Sequence, residues 1–355
     1  MTQPLMLGTR KGLFVLERRA PGKWEVTRSS FAGDPVTMVL FDRRDETVYA
    51  ALDLGHFGAK LHRSDDGAAS FTEVGIPEYP KSDDPAAKAL KLIWCLESAG
   101  DDRPGSLWAG TVPGGLFRSN DRGESWNLNG ALWDEPEREK WFGGGYDDPG
   151  IHSVCVDPRD NQRVVLGVSC GGVWITENEG ESWTCSTSGM FANYMPPERR
   201  EDPAIQDPHC IVQCGDVFWA QHHNGIFRST DKGASWSEVH SKPSSFGFAT
   251  VVHPTDPDTA WFVPLDTDER RIPVDGKVVV SRTRDGGKSI EVLENGLPGD
   301  HAYDVVYRHS FDIDRTGDVL AMGSTTGSLW ISEDQGDSWT TVSTFLPPIY
   351  CARFA

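Results

Sequence analysis

An eight-residue phrase of the form S-x-D-x-G-x-S-W recurs along the chain and constrains its fold more than any other feature. It is clearest as Ser119-Asn120-Asp121-Arg122-Gly123-Glu124-Ser125-Trp126 and returns at Thr176–Trp183, Ser229–Trp236, Thr283–Ile290 and Ser332–Trp339, with a looser copy at Ser64–Phe71. Each copy suits a tight turn between strands. The hydroxyl and carboxylate bond the turn amides, the glycine takes positive φ, and the aromatic re-enters the sheet as a buried anchor. Such a box builds a turn and performs no chemistry by itself. Because a fixed internal period makes every repeat one unit of a closed array, residues 1–355 read as a single domain.

A second phrase, a glycine-bearing turn followed by an apolar strand, runs ahead of the boxes. It occurs seven times, at Gly8–Phe14, Gly55–Leu61, Gly110–Phe117, Gly167–Trp174, Gln221–Phe227, a stretched Pro264–Val280 and Gly323–Trp330. Seven hairpins imply seven blades. Leading strands closed by Asp, Pro and Asn turn clusters start near Thr37, Leu92, His152, His209, Phe248 and Tyr303, which is six strands for seven hairpins. The seventh is Ile349-Tyr350-Cys351-Ala352-Arg353-Phe354 at the C-terminus. The expected fold is therefore all-β: a single seven-bladed β-propeller of four-stranded antiparallel blades, its ring closed by the C-terminal strand (349–355) joining the N-terminal blade. That closure removes the edges two unjoined blades would expose.

The boxes resemble the Asp-box, or BNR, repeat of sialidase-like β-propellers, and the whole chain is similar to bacterial BNR-repeat "glycosyl hydrolase" proteins. The resemblance implies that ligands bind on the face opposite the box turns and that the activity is glycosidase-like, a hydrolase or lyase. Sialidases of this class hold a substrate carboxylate with three arginines and use a tyrosine nucleophile paired with glutamate. Here Arg271-Ile272-Pro273 matches their first arginine motif but falls in the sixth hairpin, and the other arginines and the tyrosine–glutamate pair have no counterpart. Asp-box propellers also include non-catalytic assembly and receptor proteins, so a scaffold or ligand-binding propeller is the alternative from another class.

Composition limits the partners. The 53 acidic and 34 basic residues give a net charge of −19, which repels phosphate backbones and anionic membranes, so neither nucleic acid nor membrane is expected. The expected partner is a small molecule or glycan. Met1-Thr2-Gln3-Pro4 leads straight into a strand pattern without a secretory leader, which predicts a cytoplasmic location. Of the seven cysteines, Cys95, Cys155, Cys210 and Cys351 lie in apolar strand patterns and no C-x-x-C pair occurs, so reduced thiols are expected.

The candidate site follows from sorting the ten histidines. His56, His222 and His223 fall in turns between second and third strands, and His152, His209 and His301 fall at or just before first strands, all on the ligand face. His62, His240, His253 and His309 read as structural. His152 and His209 occupy equivalent positions in adjacent blades and are the candidate acid–base pair, with Asp147, Asp148 and Asp207 as their orienting or acidic partners. Alternatively His152, His209, His222 and His223 form a ligand set for a divalent metal ion. Long segments at 77–90, 127–150 and 187–208 suit the carriage of function. Trp133, Trp141, Phe142 and Tyr146 lie in the second of these, and Trp141 and Tyr146 are expected to form a stacking wall, with Tyr194 beside them. Arg10, Lys11, Arg270 and Arg271 offer cations on the same face; Arg10 and Arg271 are assigned to the substrate.

Overall fold

The computed structural model describes residues 3–81 and 88–355. Seven four-stranded antiparallel sheets follow one another around a ring, each ordered simply along the chain except the first. In that blade the innermost strand is Ile349–Phe354, hydrogen-bonded to Leu5–Thr9, with Leu5 opposite Phe354 and Leu7 opposite Ala352. The head and tail of the chain thus complete one sheet, as the count of leading strands predicts.

The boxes form the turns between third and fourth strands, and one carboxylate organises each except in blade four, where the Asn178 amide takes its place. In blade three Asp121 Oδ1 accepts from Ser119 Oγ at 2.8 Å and from the Ser125 amide at 2.9 Å, while Ser119 Oγ accepts from the Gly123 amide at 2.9 Å. The residue before the glycine also has positive φ, 61° at Arg122 and 62° at Lys232, so the turn bends over two residues. The box tryptophan latches its blade to the preceding one. Trp126 Nε1 donates to Gly75 O, Trp183 Nε1 to Asn129 Oδ1 and Trp236 Nε1 to Ser186 O. Blade one has no box; its outer hairpin turns at Pro21-Gly22 instead, and Glu333 from the last box accepts from Arg18 and from Trp24 Nε1 across the closing joint.

Between blades the core is built from wide aromatic and aliphatic side chains, among them the fully buried Trp108, Trp174, Trp219, Trp261 and Trp330. Cys95, Cys210 and Cys351 are buried within it, Cys155 is half-buried, and all seven cysteines are free thiols.

The inner strands carry a feature that positions the site. Pairing with the second strand slips by one residue at Tyr350, Thr37, Trp94, His152 and His209 in blades one to five, and again between Gly247 and Thr250 in blade six. A bulge re-aims the unpaired side chain and bends the strand. Here it recurs at the channel mouth, blade after blade. Blade seven departs from expectation: its inner strand is Phe311–Ile313 rather than starting near Tyr303, and the irregular segment before it brings Tyr307, Arg308 and His309 to the same mouth.

Candidate functional site at the channel mouth

A cavity of about 630 Å³ opens at the mouth of the channel on the face opposite the boxes. Thr37, Trp94, His209, Phe248 and Tyr350 reach its wall from the inner strands of five blades, and loop residues Phe142, Gly143–Gly145, Tyr146 and Tyr194 close over it. Its charged lining is Asp53, Asp207, Asp268, Arg271 and Arg308.

Asp207 is the centre of the polar part. It is 5% exposed, at the end of the long loop into blade five. Its Oδ1 accepts from the Cys170 amide at 3.0 Å and from Ser169 Oγ at 3.3 Å. Its Oδ2 lies 3.4 Å from His209 Nε2 and 3.4 Å from His223 Nδ1. His209 Nδ1 is bound to the Gly247 carbonyl at 2.7 Å, and His223 Nε2 to Asp268 Oδ2 at 3.0 Å. Burial works against charge on Asp207, but the imidazoles of His209 and His223 overcome it and hold the carboxyl well below the usual carboxylate range. Burial pulls the His209 pKa down; at His223 the same effect is outweighed by the two flanking carboxylates, and its pKa is raised.

Arg308, 8% exposed, lies under the aromatic wall with its guanidinium 4.6 Å from the Trp94 ring centre and 5.7 Å from that of Phe248. Its Nε donates to the His209 carbonyl at 2.5 Å, and among the described residues its Nη groups have no hydrogen-bond partner. Arg271 lies 5.3 Å from the Phe248 ring centre, with Nε donating to Asp268 O.

Of the residues singled out in the sequence, His209, Asp207, His223, Phe142, Tyr146, Tyr194 and Arg271 meet in this cavity. The others do not. His152 is bulged away from the cavity: its neighbour Ser153 Oγ at 2.8 Å and the Pro208 carbonyl of the next blade at 2.7 Å occupy both ring nitrogens, and Trp94 of the preceding blade packs across it. His222 is fully buried; its Nε2 accepts from the Asp207 amide at 3.0 Å and its Nδ1 faces the Asn224 amide at 3.1 Å, so it braces the loop rather than facing the cavity. The four-histidine metal set is therefore not assembled. Asp148 is held at the rim by Lys88 and Lys91, and Asp147 beside it is exposed, so neither orients His152. Trp141 is buried against Trp174 and anchors its loop instead of forming a wall, and Trp133 packs on Tyr79 under Arg138. Arg10 is exposed outside the lining, as are His56 and His301. Within the 77–90 segment, residues 82–87 lie outside the described residues.

Arg308, Asp268, Trp94 and Phe248 went unnoticed in the sequence, and His309, expected to be structural, lines the cavity. The usable signal was positional. Trp94, His209 and Tyr350 stand at the same inner-strand bulge, so aligning the seven leading strands puts Trp94 alongside the histidines.

No family model matches the chain. A xyloglucanase of Paenibacillus sp is 28% identical over 155 residues, 38% of this chain and 15% of the relative. The photosystem II assembly lipoprotein Ycf48 of Synechococcus sp. (strain CC9902) is 22% identical over 285 residues, 79% of this chain and 68% of the relative. Among solved structures, the GH74 xyloglucanase of Xanthomonas campestris superimposes with a TM-score of 0.65 at 16% identity, covering 96% of this chain and 52% of that one. The chain is a seven-bladed propeller related to these proteins. It spans a small part of the xyloglucanase it matches in sequence and about half of the superimposed one.

Proposed function

We propose that the chain is a glycosidase-like enzyme of the Asp-box propeller type, a hydrolase or lyase acting on a small polar or carbohydrate-like molecule in the channel-mouth cavity. One observation carries this: a buried carboxylate flanked by two imidazoles, Asp207 with His209 and His223, opens into a cavity walled by Trp94, Tyr146, Tyr194 and Phe248. Aromatic faces stack on sugar rings, and a few convergent polar groups fix orientation. Arg271 and Arg308 donate to hydroxyl or carboxylate oxygens of the ligand. Asp207, His209 and His223 are the reacting group, and Asp268 positions His223. Similarity to proteins described as xyloglucanases supports the substrate class. The seven free thiols accord with a cytoplasmic location.

The test is turnover on a panel of xyloglucan oligosaccharides, simple glycosides and lactones. His209→Ala and Asp207→Asn should each abolish the activity of the parent while melting within a few degrees of it; unimpaired turnover in both would remove the assignment. The broader coverage of Ycf48 favours a second reading, a propeller that binds without catalysis. Under that reading the parent protein turns over nothing on the panel.

A further inference from the structure

The hydrogen bonds around Asp207, His209 and His223 leave an electrostatic conflict that a cation resolves. The partner of His209 Nδ1 is the Gly247 carbonyl, which only accepts, so Nδ1 carries the hydrogen and the neutral ring turns a lone pair on Nε2 toward Asp207 Oδ2. The same logic applies to His223. Its Nε2 donates to the Asp268 carboxylate, leaving the Nδ1 lone pair directed at the same oxygen. Asp207 Oδ1 is already held by the Cys170 amide and Ser169 Oγ. With both rings neutral, three electron pairs thus converge at one buried point, a repulsion that either a proton on His223 Nδ1 or a metal ion among them removes.

The distances distinguish a metal from a shared proton. Charge-assisted N–H···O bonds run about 2.7–2.9 Å, whereas both imidazole nitrogens stand 3.4 Å from Oδ2. Four ligands held tetrahedrally at metal bonds of about 2.0–2.1 Å are separated from one another by about 3.3–3.4 Å. Adjacent octahedral ligands at the same bond length would lie about 2.8–3.0 Å apart. The outer contacts are also those that metal ligands need: a backbone carbonyl behind one imidazole, a carboxylate behind the other, and an amide holding the spare carboxylate oxygen. All three ligand atoms lie within 4.8 Å of one another. The third edge, between the two imidazole nitrogens, lies within the same 4.8 Å. The charged groups lining the cavity, Asp53, Asp207 and Asp268 against Arg271 and Arg308, still favour a cation.

We propose that Asp207, His209 and His223 bind a zinc-class divalent metal ion through Oδ2, Nε2 and Nδ1, with the fourth position open to the cavity for water or a substrate oxygen. This rests on the reading that the same group is the reacting centre and specifies what charge it holds. Neutral nitrogen with carboxylate suits zinc better than calcium or magnesium, which prefer all-oxygen shells.

The test uses the full chain stripped with a chelator and then titrated with zinc chloride by calorimetry, with cobalt(II) as a spectroscopic probe. One equivalent of zinc should bind, and cobalt should give the intense visible bands of a tetrahedral site. Asp207→Asn and His223→Gln should weaken zinc binding at least about tenfold, while His56→Ala, at an exposed histidine outside the lining, should bind as the parent does. His223→Gln guards against misfolding, since its side chain is the most exposed of the three, and circular dichroism checks both variants. Less than one equivalent bound by the parent, or parental affinity in both variants, overturns the metal. If turnover is lost in the variants although the parent binds no metal, the reacting centre stands and the metal alone is refuted.

Discussion

Asp231 holds its turn through the Ser229 and Ser235 hydroxyls and the Ser235 amide, and these bonds lower its pKa to about 2; Asp285 is held at about 2 in the same way. A carboxyl whose folded pKa lies below its unfolded value contributes stability that is complete above the ordinary range and disappears as pH falls through the folded pKa. Buried neutral imidazoles add a second window. His222 and His309 are pushed down to about 3 by burial, so the stability they protect declines as pH drops below about 6.5. Chemical denaturation should therefore show stability falling in two stages, from about pH 6.5 and again below about pH 4, with the lower stage diminished in Asp231→Asn. A flat profile between pH 7 and pH 3 would contradict both assignments. At the site, Tyr146 is 43% exposed and stands edge-on to Trp94 at 5.1 Å, so Tyr146→Ala should raise KM roughly three- to tenfold, by loss of stacking worth about 1 kcal/mol, with little change in kcat. Asp207 and His209 were legible because they recur as acid-then-histidine near a strand start. Arg308 was not, since a lone arginine in an acidic chain reads as a surface ion pair until its neighbours are known.

The strand with a bulge at its mouth is the element that turns a repeated fold into a site. Regular pairing alternates side chains between faces, and a one-residue slip changes which side chain reaches the channel. His152 and His209 stand at the same slip and still diverge through their partners: one is locked against Pro208 O, the other opens into the cavity. Periodicity revealed the strands but not the slips, because a bulge leaves the apolar pattern almost unchanged. The start of the last blade was misplaced for a related reason. Tyr303–Tyr307 has a strand-like composition, yet its backbone turns inward to deliver Arg308 and His309. The box hairpins were the clearest elements, and their tryptophans do more than fill space. Trp236, 3% exposed, should cost about 1–2 kcal/mol as Trp236→Phe, which loses the bond to Ser186 O and part of the ring's packing, and about 3–5 kcal/mol as Trp236→Ala. A Trp236→Phe variant as stable as the parent in urea melts would mean that the latch bond contributes nothing.

At the scale of the molecule, the ring depends on a single sheet made from both ends of the chain. Deleting residues 349–355 removes Ile349, Cys351 and Ala352, each fully buried, and bares the Leu5–Thr9 edge. Such a truncated chain should aggregate or melt far below the parent; an unchanged melting temperature would refute the closure. The ring itself was readable because the hairpins number seven and one leading strand is missing until the tail supplies it. What the ring encloses was readable only in part, since the channel mouth draws one or two residues from each of several distant segments. The sharpest test is a crystal structure of Asp207→Asn with a saccharide turned over by the parent. The sugar should lie beside Tyr146 and Trp94 with an oxygen toward His209 and His223. A sugar seated at the opposite mouth of the channel, among Glu97, Asp312 and Arg353, would contradict the account.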